Sequence, residues 1–125
     1  MSGLTEAWLL GHKDTSFYTR TYTPSASPTG VLVFIPDIIA HVGLYEHVHR
    51  RWADRGFFVF TFDQRGFGRT ALDPKKARST VYGRTSDDDQ ISDIEWALRV
   101  SHEVNPKLPL FLMVRRPTHL YIFWL

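Results

Sequence analysis

The sequence contains no cysteine, and this absence excludes disulfide bonds, thiol catalysis and cysteine-ligated metal sites. It also lacks any apolar run near the about 20 residues that a membrane-spanning helix needs, so no transmembrane segment is predicted. Neither charge dominates, because 15 basic residues face 13 acidic ones and the formal net charge is +2. A nucleic-acid partner is therefore not expected. The 125 residues allow one domain with a modest core, and with no secretory signal pattern at the N-terminus the expected location is cytoplasmic.

The segment 31–68 organises the rest of the chain. Its apolar runs 31–35 and 57–62 are too short for helices and rich in β-branched and aromatic residues, which favours buried strands. Between the two runs an apolar stripe recurs at helical spacing, and it is formed by Leu44, Tyr45, Val48 and Trp52. A strand, a helix and a second strand in this order predict a parallel pair joined by a right-handed crossover.

Function in such a sheet is expected where loops leave the carboxyl ends of the strands, here at 36–42 and 63–70. Before this unit, residues 7–10 and 16–23 are predicted to pair as a hairpin around the turn 11–15.

The second half of the chain continues the alternation of strands and helices. Residues 63–85 are predicted as a loop, because glycine and proline interrupt every period. Ser86 is expected to cap a second helix that ends at Asn105 and Pro106. Its predicted buried stripe consists of Ile91, Ile94, Ala97 and Leu98. With a last strand at 109–113, the order is a β-hairpin followed by βαβαβ, which indicates an α/β fold with a mostly parallel sheet.

Several motifs along the chain resemble the α/β-hydrolase superfamily, in the branch of monoacylglycerol lipases, lysophospholipases and serine aminopeptidase-type hydrolases. The motifs are FYTRTYTP, HVGLYEHV, FDQRGFGRT, SDDDQISDIEWAL and NPKLPLFLM, and the resemblance covers residues 6–113. It implies a serine carboxylic-ester hydrolase of the monoacylglycerol lipase type, with a lipid ester as substrate, no cofactor and possible work at membrane surfaces. It also implies that this chain carries the N-terminal part of the hydrolase sheet, truncated before the nucleophile elbow.

The resemblance places one donor of the oxyanion hole at Ile38. Members carry a His-Gly pair just before this donor, and here those places hold Pro36 and Asp37. Proline fixes its own backbone angle, and an aspartate puts negative charge near a developing oxyanion. Both departures from the family pattern argue against a functional first donor of the oxyanion hole.

The nucleophile's place falls on Arg116, and the next place, which should supply the second oxyanion N–H, falls on Pro117. Arginine cannot be acylated and proline has no N–H to donate. The catalytic Asp and His of the superfamily follow the serine, and no matching residues follow here. The sequence therefore predicts no catalytic residue in this chain, and the alternative function is a non-catalytic truncated fragment that acts, if at all, as an interaction module.

The chain changes character after Met113, which divides it into a partial hydrolase domain at 1–113 and an unrelated apolar tail at 114–125. A premature stop, a retained intron or a shifted reading frame would each produce such a tail. Cut at this point, the strand 110–113 is expected to be a sheet edge with unpaired backbone groups. The prediction is self-association through this exposed edge.

Other sites have weaker support from the sequence. His47 and His49 lie two apart on a helix and point in different directions, so no metal site is predicted. The segment Arg65-Gly66-Phe67-Gly68-Arg69 follows a strand, but no helix is expected to start there and no Lys-Ser/Thr pair follows, which argues against a phosphate loop. The acidic run 87–89 lacks the alternating ligands of a calcium site and fits a solvated helix start. No serine lies in a Gly-x-Ser-x-Gly frame.

Overall fold

The computed structural model describes residues 3–37, 42–73, 75–76, 82–115 and 120–125, with the side chain of Val42 left aside. The strands are β1 Gly3–Leu10, β2 Ser16–Thr23, β3 Gly30–Ile35, β4 Phe57–Phe62, β5 Leu110–Arg115 and β6 Leu120–Trp124. The helices are α1 Glu46–Asp54, α2 Gly68–Leu72 and α3 Asp87–Val104, with single 3-10 turns at His12–Asp14 and Val42–Tyr45.

The described strands form one six-stranded sheet in the order β1-β2-β4-β3-β5-β6. The three central strands β4, β3 and β5 are parallel, with Val33 opposite Phe60 on one side and Leu112 on the other. The pairs β1-β2, β2-β4 and β5-β6 are antiparallel. The predicted hairpin and βαβαβ order are confirmed, but the parallel arrangement is restricted to the three central strands.

The core consists of two layers, one on each face of the sheet. α3 packs on one face through Trp96 and Ala97, against the buried side chains of Phe17, Val33, Ile35, Phe60 and Phe62. α1 packs on the other face through Ala53, against Tyr22, Leu32, Phe34, Val59 and Met113. β3 is buried along its whole length because helices cover both of its faces.

Both predicted helix stripes are wrong in part. Leu44 is 57% exposed because it lies in the 3-10 turn before α1, and the buried positions of that helix are His49 and Ala53. Ile91 is 56% exposed because Asp93 takes the inward position in α3. In each helix a polar residue is buried where the pattern favoured an apolar one. The predicted cap is confirmed, since Ser86 Oγ accepts the Asp89 N–H at 3.1 Å.

The prediction of a continuous loop over 63–85 is wrong, because α2 begins at Gly68 within the segment that was expected to start no helix. The Asp63 carboxylate accepts the Arg69 N–H at 2.8 Å and so binds a free donor of the first turn. Gly68 has φ +54, and a Cβ on it would lie 2.5 Å from the Asp63 carboxyl group. The start of α2 therefore depends on a carboxylate at the end of β4.

The predicted sheet edge at 110–113 is also wrong. β5 continues to Arg115, and β6 pairs with it antiparallel from Phe111 opposite Trp124 to Arg115 opposite Leu120. Among the described strands the unpaired edge on this side is therefore β6, whose five residues are all exposed. The domain boundary placed after Met113 stays a prediction.

Candidate functional site

The candidate site lies at the carboxyl ends of the parallel strands, where the two predicted loops meet. Pro36 follows β3 and Gln64 follows β4, and Gln64 Nε2 donates a hydrogen bond to the Pro36 carbonyl at 2.8 Å. Both residues are buried. This bond fixes the two loops relative to each other.

A polar group of three side chains stands beside this contact and is formed by Asp37, Tyr45 and Arg115. The Tyr45 hydroxyl donates to Asp37 Oδ2 at 3.2 Å, and the Arg115 guanidinium lies close enough to the same hydroxyl to affect its pKa. Asp37 Oδ1 is buried and has no hydrogen-bond partner among the described residues. Burial, followed by the negative charge of Asp37, raises the pKa of Tyr45, while Arg115 opposes the rise. The phenol is therefore a hydrogen-bond donor at neutral pH and is not a base.

Ile38 and Arg116, the two residues placed by the family resemblance, lie outside the described residues. The structure does describe their neighbours, since Asp37 precedes one and Arg115 precedes the other, and both contact Tyr45. This arrangement brings a carboxylate, which only accepts hydrogen bonds when it is ionised, to the edge where an acyl-transfer site needs donors. The sequence analysis placed Tyr45 in an apolar helix stripe and identified neither it nor Arg115 as a site residue, although a charged residue at the end of a buried strand is a signal that points to this edge.

Arg65, in the segment 65–69, is held by internal contacts. Its guanidinium binds both carboxylate oxygens of Asp93 at 2.9 Å, the Thr15 hydroxyl at 2.6 Å and the His12 carbonyl at 2.8 Å. Burial raises the pKa of Asp93, and the charge of Arg65 works against that rise. These contacts fasten the loop after β4 to α3 and to the hairpin turn, and they leave this arginine no free face for a phosphate.

A polar cleft of about 720 Å³ lies between the hairpin turn and the start of α3. Asp89 and Lys13 line this cleft, and Lys13 Nζ binds Asp89 Oδ1 at 3.0 Å. His12 Nε2 lies 3.2 Å from the same oxygen and so forms a histidine–carboxylate pair. The nearby Ser86 hydroxyl oxygen accepts the Asp89 N–H as the helix cap. No hydrogen bond among the described residues joins this serine to His12, so the pair does not form an activated nucleophile.

Within the described part of the chain, no three His, Asp or Glu side chains are grouped as a metal site would require. His49 is fully buried between Tyr22 and Phe34, with ring centroids 5.3 and 4.6 Å away. Burial lowers the pKa of this imidazole to about 3. His47 is exposed on the opposite side of α1. Over the same residues, no helix is long and apolar enough to cross a membrane.

Comparison with known proteins identifies the family. The sequence pattern of the family described as "Serine aminopeptidase, S33" matches residues 26–114. This chain belongs to the serine aminopeptidase S33 family. The S33 chain is 45% identical over 49 residues to an uncharacterized abhydrolase domain-containing protein of Dictyostelium discoideum. It is 39% identical over 49 residues to a monoacylglycerol lipase of Mycolicibacterium smegmatis. Each alignment covers 39% of the S33 chain, but only 5% and 18% of the respective relative.

Solved structures place the S33 chain in the α/β-hydrolase fold. A thermostable carboxyl esterase from Bacillus coagulans matches with a TM-score of 0.75 at 23% identity, over 88% of the S33 chain and 35% of the esterase. The monoglyceride lipase of Saccharomyces cerevisiae matches with a TM-score of 0.66 at 20% identity, over 92% of the S33 chain and 34% of the lipase. The S33 chain thus forms about a third of the fold of these lipases and esterases.

Proposed function

We propose that the chain is the N-terminal portion of a serine ester hydrolase of the monoacylglycerol lipase type, and that these 125 residues alone do not catalyse acyl transfer. In this proposal a longer form acts on lipid esters in the cytoplasm, in contact with membrane surfaces. It divides the chain into a partial hydrolase domain at 1–113 and a tail at 114–125. The relative named as a monoacylglycerol lipase supports the substrate class.

One observation carries the proposal, and it is the path of the chain after β5. The hydrolase nucleophile sits on a tight turn between a strand and a helix, which exposes its oxygen at the top of the sheet. Here β5 ends at Arg115 and an antiparallel strand begins at Leu120, so the described chain returns along the sheet. Among the described residues no helix follows β5, whereas a nucleophile elbow requires a helix N-terminus directly after its strand.

The charges at the sheet edge support the same conclusion. Asp37 lies one residue before the proposed oxyanion donor Ile38, and its carboxylate is only partly exposed. A tetrahedral intermediate would place a second negative charge beside it, and loss of one oxyanion donor alone costs about 10²- to 10³-fold in rate. The arrangement is poorly matched to acyl transfer.

The test is active-site labelling of the purified 125-residue chain with a fluorophosphonate probe, beside hydrolysis of a chromogenic short-chain ester. We expect neither labelling nor turnover above that of a Ser86→Ala variant, which removes the serine hydroxyl that caps the helix carrying Asp89, the carboxylate paired with His12. The Mycolicibacterium lipase serves as the positive control. Stoichiometric labelling of the chain would overturn the proposal, and its loss in Ser86→Ala would identify the nucleophile.

The alternative function is a non-catalytic interaction module built on the same fold. The exposed apolar strand β6 favours this alternative. In it, the chain self-associates through the sheet edge that β6 forms. A chain that is inactive and also associates specifically would fit this alternative, whereas an inactive chain that remains monomeric would not.

A further inference from the structure

We propose that β6 is a homodimer interface, in which the β6 strands of two copies pair antiparallel about a two-fold axis at Ile122 and join the two sheets. The proposal concerns a sheet edge that no described strand covers, and it is independent of any ester hydrolysis.

The edge of β6 offers hydrogen-bonding groups in a defined pattern. Leu125 N donates to the Leu110 carbonyl at 2.9 Å, so Leu125 and, by alternation, Phe123 and Tyr121 direct their backbone groups toward β5. Leu120, Ile122 and Trp124 then direct their N–H and C=O groups away from the sheet. Water hydrates this row in the single chain, but a partner that covers the edge has to replace that water, and only another extended backbone does so along the whole length of the strand.

The side chains of β6 are apolar and exposed on both faces of the sheet. Leu120, Ile122 and Trp124 are 48%, 56% and 78% exposed, and Tyr121 and Phe123 are 43% and 47% exposed. No charged residue or proline interrupts the strand, although these are the usual devices that protect an edge from pairing with a copy of itself. A lipid surface would cover the side chains but would leave the backbone groups unsatisfied, at a cost of several kcal/mol for each group.

The sequence of β6 is self-complementary about its central residue. With Ile122 opposite Ile122 of the second copy, Tyr121 faces Phe123 and Leu120 faces Trp124, so that large apolar side chains meet on both faces. The same register pairs the outward-directed residues with one another, and each of these pairs can exchange both hydrogen bonds. Neither pairing brings like charges together.

The exposed apolar area of β6 is large enough to contribute to a dimer. Tyr121, Phe123 and Trp124 are 43%, 47% and 78% exposed. Aromatic side chains bury roughly 150–250 Å² each when covered, so these three offer about 250–420 Å² per copy, to which Leu120 and Ile122 add, against roughly 800 Å² per partner in a standard interface. A second copy is the occupant that uses all of these features.

The first measurement is the molar mass of the 125-residue chain by light scattering after gel filtration, over a range of concentrations. We expect a twofold rise from the 14.5 kDa of the single chain, with no larger species dominating. A chain that stays at the monomer mass, or that binds phosphatidylcholine vesicles only as a monomer, overturns the proposal.

The register is tested by cysteine crosslinking, which the absence of native cysteine makes unambiguous. In the proposed dimer the two Ile122 Cα atoms lie about 5.5 Å apart, within the span that a disulfide bridges. Ile122→Cys is therefore expected to convert the chain into a covalent dimer under mild oxidation. Leu120→Cys is the matched control on the same face, because its Cα atoms lie about 14 Å apart and should not crosslink.

A mixture of Leu120→Cys and Trp124→Cys is expected to crosslink, since these positions face each other across the axis. Circular dichroism of each variant confirms that the sheet has formed. Equal crosslinking of Ile122→Cys and Leu120→Cys would indicate pairing without register, and failure of Ile122→Cys to crosslink in a folded chain would exclude the interface. Both results overturn the proposal.

Discussion

Arg65 and Asp93 form a buried ion pair that holds the loop after β4 against α3. Their side chains are 13% and 3% exposed, and the contact is bidentate. We expect Asp93→Ala to lower the free energy of unfolding by about 3–5 kcal/mol, because it leaves the guanidinium charge buried without its carboxylate. Urea denaturation followed by the fluorescence of the core residue Trp96 measures this loss. The double variant Arg65→Met/Asp93→Leu should regain most of it, and equal losses in both variants would show that packing alone sets the cost.

His49 has the opposite effect on stability. It is fully buried, and neither ring nitrogen has a hydrogen-bond partner among the described residues. An unsatisfied buried polar group costs about 1–3 kcal/mol, so His49→Leu, a change of similar volume, should raise the free energy of unfolding by that amount. Urea denaturation at pH 7.5 measures the difference.

The matched control for His49 is His47→Leu, on the exposed side of the same helix. This change should stay within about 0.5 kcal/mol of the parent chain, because a surface substitution loses no buried contact. If the free energy of unfolding rises equally in both variants, the increase comes from helix propensity, and the argument from burial of His49 is wrong.

At the scale of elements, the start of α2 depends on Gly68. Its φ is +54, and a Cβ would meet the Asp63 carboxyl group at 2.5 Å. Gly68→Ala should therefore cost about 3 kcal/mol or more, since the clash displaces the carboxylate that binds the Arg69 N–H. Gly83→Ala is the control, because Gly83 also has positive φ but no contacting atom of the described residues lies within 4 Å of its Cβ position. That variant should lose only about 1 kcal/mol, and an equal loss in both would exclude the clash as the cause.

The elements also show what the sequence could and could not predict. β2 and β4 have the predicted bounds, because each is a short apolar or alternating run between turn residues. α2 could not be predicted, since its first turn is capped by Asp63, a residue outside the helix. The pairing of β6 was missed because a short apolar run gives no information about which strand it will join. In the candidate site, the strand-end loops were predicted, whereas the contact of Tyr45 with Asp37 and Arg115 depends on how α1 sits on the sheet.

At the scale of the whole molecule, at least two titratable side chains change the free energy of unfolding below neutral pH, and their effects have opposite signs. The pKa of His49 is about 3 in the folded chain and about 6.5 when exposed, so the unfolded chain binds its proton first. His49 therefore removes stability as pH falls from 6.5 toward 3, by about 1.4 kcal/mol per pH unit. The raised pKa of Asp93 has the opposite effect, because as pH falls the folded chain protonates this carboxyl group before the unfolded chain does. Asp93 therefore adds stability at low pH, and this contribution is lost as pH rises.

The pH profile of the parent chain therefore mixes the two groups, and the difference between two profiles separates them. His49 lies on α1 and Asp93 on α3, on opposite faces of the sheet, so their effects should be close to additive. Subtracting the pH profile of the parent chain from that of the His49→Leu variant cancels the contribution of Asp93, which is the same in both. The difference should be flat above pH 7.5 and then grow in favour of the variant by about 1.4 kcal/mol for each pH unit below 6.5. Urea denaturation at half-unit steps from pH 8 to pH 4.5 measures it. A difference that stays flat through this range would mean that the imidazole takes up its proton equally well in the folded chain, which is incompatible with its burial among Tyr22, Phe34 and Arg20.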